Sequence, residues 1–155
     1  AIGNYAPGMM PSRKAKDAGF AEVIYLDAET HNNIEEVGAA NFFCVKGNVL
    51  YTPELTGTIL PGITRQSIIE LARHNGYEVI ETKVSAEFAM GADEAFCCGT
   101  AAVISPIGSI TKGEKKAIYG NQKPGPVTEQ LYNHLVGIQN ETEEDIFGWL
   151  HEVPR

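Results

Sequence analysis

The sequence predicts a mixed α/β fold in which antiparallel hairpins are surrounded by helices. Three observations carry that expectation. Short runs of β-branched and aromatic residues alternate along the chain with helical patterns. Glycine- and asparagine-containing turns join neighbouring strand-like runs closely enough for hairpins. Finally, 155 residues leave room for one domain with a real core, so residues 1–155 are read as a single domain.

The elements follow in order. Asn4 to about Ala18 reads as a helix: Asn4 can cap it, Pro7 is tolerable in a first turn and Gly19 is a stop, although Pro11 interrupts the pattern. Glu22–Asp27 reads as a strand. Asn41–Val45 is another, turning through Lys46-Gly47-Asn48 into Val49–Tyr51. Thr64–His74 carries Ile68, Ile69, Leu71 and Ala72 at helical spacing and closes at Gly76. Tyr77–Val84 alternates like a half-buried strand, with a short helix after it around Ala86–Met90. Glu94–Cys98 and Val103–Ile107 are core strands separated by Gly99-Thr100-Ala101-Ala102. Residues 126–138 form a last amphipathic helix. Glu141–Asp145 is a solvated acidic linker, after which Phe147 and Trp149 pack on the core.

Composition narrows the function. A net charge of −8 argues against nucleic acid or an anionic membrane as the main partner. No apolar run approaches the roughly 20 residues needed to span a bilayer, and no signal-peptide pattern opens the chain. Cys44, Cys97 and Cys98 form no CxxC, which suggests reduced thiols and a cytoplasmic setting, with a plastid or mitochondrion as the eukaryotic equivalents. His31, His74, His134 and His151 show no ligand spacing, so no metal site is expected.

Four local patterns carry chemistry. Gly57–Arg65 contains a Pro-Gly turn that runs into the 64–74 helix. The free N–H groups of that first turn, with the Thr64 hydroxyl, make a seat for a phosphate or carboxylate. Glu36 precedes Val37-Gly38-Ala39-Ala40, small residues over which a flat ligand could approach the backbone. Gly99–Ala102 could expose N–H groups as an anion nest, and Tyr5 supplies a phenol. Each has an ordinary structural use when taken alone: a strand-to-helix turn, a solvent-facing Glu, a strand bend, a packed Tyr. Together they describe a ligand with a phosphate, a basic ring nitrogen and a phenolic oxygen, which is pyridoxal 5′-phosphate.

Gly3-Asn4-Tyr5-Ala6-Pro7, Glu35–Phe43, Gly57–Arg65 and Cys98–Ala102 occur in that order. In this combination the chain resembles the C-terminal, cofactor-binding lobe of the branched-chain amino-acid aminotransferases, which are fold-type IV pyridoxal-phosphate enzymes. The likeness runs from Ala1 to about Trp149, and the motif wording is that of plant and many bacterial members.

The resemblance implies roles residue by residue. Glu36 would bond the pyridine nitrogen and Tyr5 the phenolic oxygen. Ile63 and Thr64 would hold the phosphate, with Thr100 adding a hydroxyl. The Thr100 and Ala101 N–H groups would receive the substrate carboxylate, while Gly38 and Ala39 line the pocket. A redox CxxC found in some members would fall at Ala102 and Ser105, so that switch is expected to be absent. The family's Schiff-base lysine would immediately precede Ala1, so these residues are expected to be part of a longer enzyme and inactive alone. The N-terminal lobe, with its phosphate-binding arginine, would be missing, and the intact enzyme would be a homodimer. The implied reaction is ping-pong exchange of leucine, isoleucine or valine with the 2-oxoglutarate/glutamate pair. A D-amino-acid aminotransferase, an aminodeoxychorismate lyase, a non-catalytic phosphate-ligand module and an inert structural fragment are the alternatives.

Overall fold

The computed structural model describes residues 6–153, so the expectations for Asn4 and Tyr5 lie outside the described residues. Helix α1 (Ala6–Asp17) contains Pro11 and is followed by β1 (Ile24–Leu26), β2 (Ile34–Val37), β3 (Ala40–Lys46) and β4 (Val49–Pro53). Then come α2 (Ile63–His74), β5 (Glu78–Thr82), α3 (Ala86–Met90), β6 (Glu94–Gly99) and β7 (Val103–Pro106). The chain closes with a hairpin of β8 (Ser109–Lys112) and β9 (Lys115–Ile118), then α4 (Pro126–Gln139). The mixed α/β expectation holds.

Seven strands form the main sheet, in which β1-β2-β3-β4-β5 is one path and β6 joins β3 to β7. Every pairing is antiparallel except β4 with β5, which α2 connects as a crossover. Strand β3 is the axis. Its Ala40 and Asn41 pair with β2, Cys44 to Lys46 pair with β4, and Asn41 to Val45 pair with β6. The β3–β4 turn has only two residues between Lys46 and Val49, and Gly47 takes φ 60°, which glycine adopts without penalty.

Successive side chains of a strand face opposite ways, and β3 is buried on both faces. Phe43 and Val45 join Phe96, Cys98 and Leu50 beneath α2 (Ile68, Ile69, Leu71) and α4 (Leu131, Leu135, Ile138). Phe42 and Cys44 face a second cluster with Ala86 and Ala89 of α3, Ile110 and Tyr119. Phe43 and Phe96 are register partners and stack with centroids 5.0 Å apart. Burying each such ring stabilises the fold by roughly 1.5–3 kcal/mol. Phe147 and Trp149 pack against the first cluster, as expected.

Three expectations need correction. Strand β2 was not foreseen, because Glu35 and Glu36 fill its centre; its ends, Ile34 and Val37, are buried. The β8–β9 hairpin was likewise not foreseen: Lys112, Lys115 and Lys116 lie in its strands with their side chains exposed. Asp145 is more than linker: its carboxylate accepts from the N–H groups of Phe147 and Leu150. These backbone donors stabilise the charged carboxylate and hold its pKa below the usual carboxylate value. Among the described residues, no helix is long and apolar enough to cross a membrane.

A carboxylate and an uncapped helix at one end of the sheet

Register places the candidate residues. Tyr25, Glu36, Asn41, Cys98 and Ile104 form one row across β1, β2, β3, β6 and β7. Just beyond that row lie the two hairpin ends that the sequence singled out, Gly38-Ala39 between β2 and β3 and Thr100–Ala102 between β6 and β7. The two are neighbours: a Cβ on Gly99 would stand 3.9 Å from that of Ala40. Gly38 turns at φ 59°. At the other hairpin Val103 sits at φ 54°, a left-handed conformation that a β-branched residue rarely adopts.

The anion seat comes to the same place from elsewhere in the chain. Leu60-Pro61-Gly62 is clasped by the row just described: Leu60 N–H donates to Glu36 Oε1 at 3.0 Å. The Asn41 side-chain amide donates to Leu60 O at 2.9 Å. Thr58 Oγ1 donates to Glu35 Oε1 at 2.7 Å. Gly62 then caps α2 with no side-chain hydrogen bond, leaving the N–H groups of Ile63 and Thr64 at the helix start without a side-chain acceptor. Pro61 lies in the irregular stretch between β4 and α2, and the helix dipole adds positive potential at the tip of α2.

Farther along α2, Arg65 is 2% exposed. Its Nη2 donates to Pro53 O at 3.0 Å and pairs with Glu81 at 2.9 Å. The helix start is therefore tied to β4 and β5 as well as to β3. Leu60 and Ile63 are 68% and 86% exposed, apolar surface displayed between the carboxylate and the helix tip.

Glu36, Ile63 and Thr64 are thus brought together through Leu60. Gly38, Ala39, Thr100 and Ala101 stand at the same end of the sheet. Thr64 is half-buried and Thr100 exposed. Asn41 and Leu60 were missed as site residues. The signal for Asn41 was available: it is the one polar residue in the Ala40–Val45 run.

Two other features border this end: the first meets the start of α2 through Pro61, Gly62 and Ile63, and the second includes Cys98, the register partner of Asn41. A cavity of about 570 Å³ between α2, α4 and the C-terminal segment is lined by Leu55, Gly62, Ile63, Leu135 and Trp149 among others, and by none of Glu36, Thr64 or Thr100. Burial pushes the thiols of Cys44 and Cys98 up to about 12 and raises that of Cys97, so they are held protonated at neutral pH.

The donor set suits a ligand with a basic ring nitrogen at one end and a phosphate at the other. It offers a carboxylate fixed by a backbone N–H, a helix tip without a side-chain cap, two threonine hydroxyls and a glycine-containing turn.

The family described as amino-transferase class IV matches residues 2–110. The chain is 49% identical over 153 residues to a mitochondrial branched-chain-amino-acid aminotransferase of Arabidopsis thaliana, covering 99% of this chain and 40% of that one. It is similar to the solved branched-chain amino acid aminotransferase of Escherichia coli, with a TM-score of 0.87 and 38% identity over 99% of this chain and 50% of that chain. A third likeness is to the branched-chain aminotransferase of Thermobaculum terrenum, solved in a PLP-form, with a TM-score of 0.83 and 34% identity over 92% of this chain and 45% of that one. The chain spans about two-fifths of the length of the curated relatives it matches.

Proposed function

Because this chain belongs to the class IV aminotransferase family, we propose that it is the cofactor-binding lobe of a pyridoxal-phosphate-dependent branched-chain amino-acid aminotransferase. In this reading a longer protein supplies the N-terminal lobe, the lysine that carries the cofactor and the partner subunit of a homodimer. It would act on leucine, isoleucine and valine with 2-oxoglutarate, in the cytoplasm or, in a plant, in a plastid or mitochondrion.

The observation that carries the reading is the junction of Glu36 with the start of α2 through Leu60 N–H, 3.0 Å from Glu36 Oε1. A carboxylate and an anion-binding helix tip are held on one short, sheet-anchored turn, which matches the two ends of a phosphorylated pyridine.

Each residue then has a task. Glu36 holds a proton on the ring nitrogen by offering a negative acceptor there. The Ile63 and Thr64 N–H groups bind the phosphate with help from the helix dipole, and the Thr64 and Thr100 hydroxyls complete its shell, with Tyr5 on the phenolic oxygen. The Thr100 and Ala101 N–H groups orient the substrate carboxylate. Gly38 and Ala39 let the backbone come close to the substrate. Bound in this cup, pyridoxal phosphate supplies the electron sink that lets a substrate Cα–H bond ionise. Leu60 and Ile63 offer the apolar surface that excludes water from the ring.

The test is a substrate panel with the purified full-length protein. Glutamate formed from leucine, isoleucine and valine with 2-oxoglutarate is the expected result. Activity confined to D-alanine, or pyruvate released from aminodeoxychorismate, would move the protein to a sister activity of the fold. Failure to take up pyridoxal phosphate would overturn the reading altogether.

A further inference from the structure

We propose that Asn41 is a positioning residue of this cup, latching the Leu60–Gly62 turn so that the start of α2 stands at a set distance from Glu36. The inference rests on the pyridoxal-phosphate reading above and deepens it.

Asn41 is 6% exposed in a strand whose next four residues, Phe42 to Val45, are all buried and apolar. Burying an amide costs free energy unless it is hydrogen-bonded, whereas an apolar residue of that size would fill the space without the cost. What the amide adds is the bond from Nδ2 to Leu60 O at 2.9 Å. The same carbonyl accepts the Gly62 N–H at 2.8 Å, closing a tight turn around Pro61. One residue thus receives bonds on both sides of its backbone, Glu36 on the Leu60 N–H and Asn41 on the Leu60 carbonyl.

Glu36 and Asn41 are cross-strand partners in β2 and β3, so the sheet itself fixes their separation. Gly62 completes the latch. A Cβ there would overlap Asn41 Oδ1, so it is the missing side chain at position 62 that admits the amide against the helix cap. Without Asn41 the turn would keep the Glu36 contact but lose its second anchor. The phosphate end of the cup would then shift relative to the ring-nitrogen end.

The test uses Asn41→Leu and Asn41→Asp in the full-length protein; both keep approximate size and remove the donor. In the cofactor-free protein, amide hydrogen exchange over residues 58–64 is expected to quicken about five- to tenfold, as for the loss of one net hydrogen bond. Affinity for pyridoxal phosphate is expected to fall by a similar factor, while affinity for pyridoxal, which has no phosphate, changes little. Unchanged exchange with an unchanged affinity ratio overturns the proposal, and so does an equal loss for both compounds. A wild-type protein that takes up no pyridoxal phosphate overturns the functional reading and this inference together. A wild type that binds it, with a variant that keeps the wild-type ratio, overturns this inference alone.

Discussion

Glu36 and Asn41 face each other across β2 and β3 and both bond the backbone of one residue, Leu60. A loop that begins at the end of β4 is thereby returned to the sheet beside the carboxylate. The start of α2 owes its place to this link and to the buried Arg65, which bonds Pro53 O and Glu81.

The charge of Glu36 can be separated from its hydrogen bond. In Glu36→Gln the amide oxygen still accepts from Leu60 N–H, so the turn should hold, but the negative charge opposite the ring nitrogen is gone. The expected outcome is a fall in kcat of about 100-fold or more, the scale of removing one electrostatic partner in a closed site, with pyridoxal phosphate still bound. Steady-state kinetics with leucine measures it. A wild-type kcat would mean that this carboxylate does not serve the ring nitrogen.

Gly62 is constrained by space and not by backbone angle, since its φ of −64° and ψ of 138° suit any residue. Gly62→Ala should therefore push the Asn41 amide aside without straining the chain. Pyridoxal-phosphate affinity should drop about tenfold, one net hydrogen bond's worth, while the circular dichroism spectrum stays unchanged. Asn41→Ser in the same background makes room for the methyl group and should restore part of the packing, though not the affinity. A Gly62→Ala protein that binds cofactor normally would show that the turn tolerates displacement.

Glu94 has a different job. It is 6% exposed at the start of β6, and its two oxygens accept from Val127 N, Thr128 N and Thr128 Oγ1 at 3.0, 2.9 and 2.7 Å. The strand thus caps α4 in place of a local side chain, since Gly125 at the cap position offers none. Gly125 also leaves the room that Glu94 occupies, because a Cβ there would overlap its carboxyl group. Glu94→Ala should cost about 2–4 kcal/mol, leaving buried helix donors unpaired. Urea denaturation reads the loss, and cofactor affinity measured well below the transition should not move.

Much of the fold was legible because local patterns and tertiary burial agreed. The β3–β4 hairpin announced itself through Gly47, and α2 through Pro61-Gly62 followed by helical apolar spacing. Strand β2 was hidden because Glu35 and Glu36 look solvent-facing, and only the loop they clasp explains two carboxylates there. The β8–β9 hairpin was hidden by Lys112, Lys115 and Lys116, whose exposed side chains mask a single inward row of Ile110 and Ala117. The site read similarly. Glu36, Thr64 and the Gly99–Ala102 segment could be proposed as candidates from residue type, with the role of Thr100 added by the family resemblance. What joins Glu36 to the start of α2 could not, because the bond spans 24 residues and its donor is the Leu60 backbone N–H, which no side-chain pattern records.

The buried thiols predict how stability responds to alkali. Burial raises Cys44 and Cys98 from 9.0 to about 12, so between those values the unfolded chain releases protons that the folded chain retains. Folded stability is then full below about pH 9 and declines as pH rises toward 12. The slope is about 1.4 kcal/mol per pH unit for each thiol at its steepest. Urea midpoints at pH 8, 9 and 10 should fall progressively over the last interval. A Cys44→Ala, Cys98→Ala protein should start less stable, from lost packing, yet show a visibly flatter decline. Parallel curves for the two proteins would mean that some other group sets the alkaline limit, with Cys97 the next candidate because burial also raises its thiol.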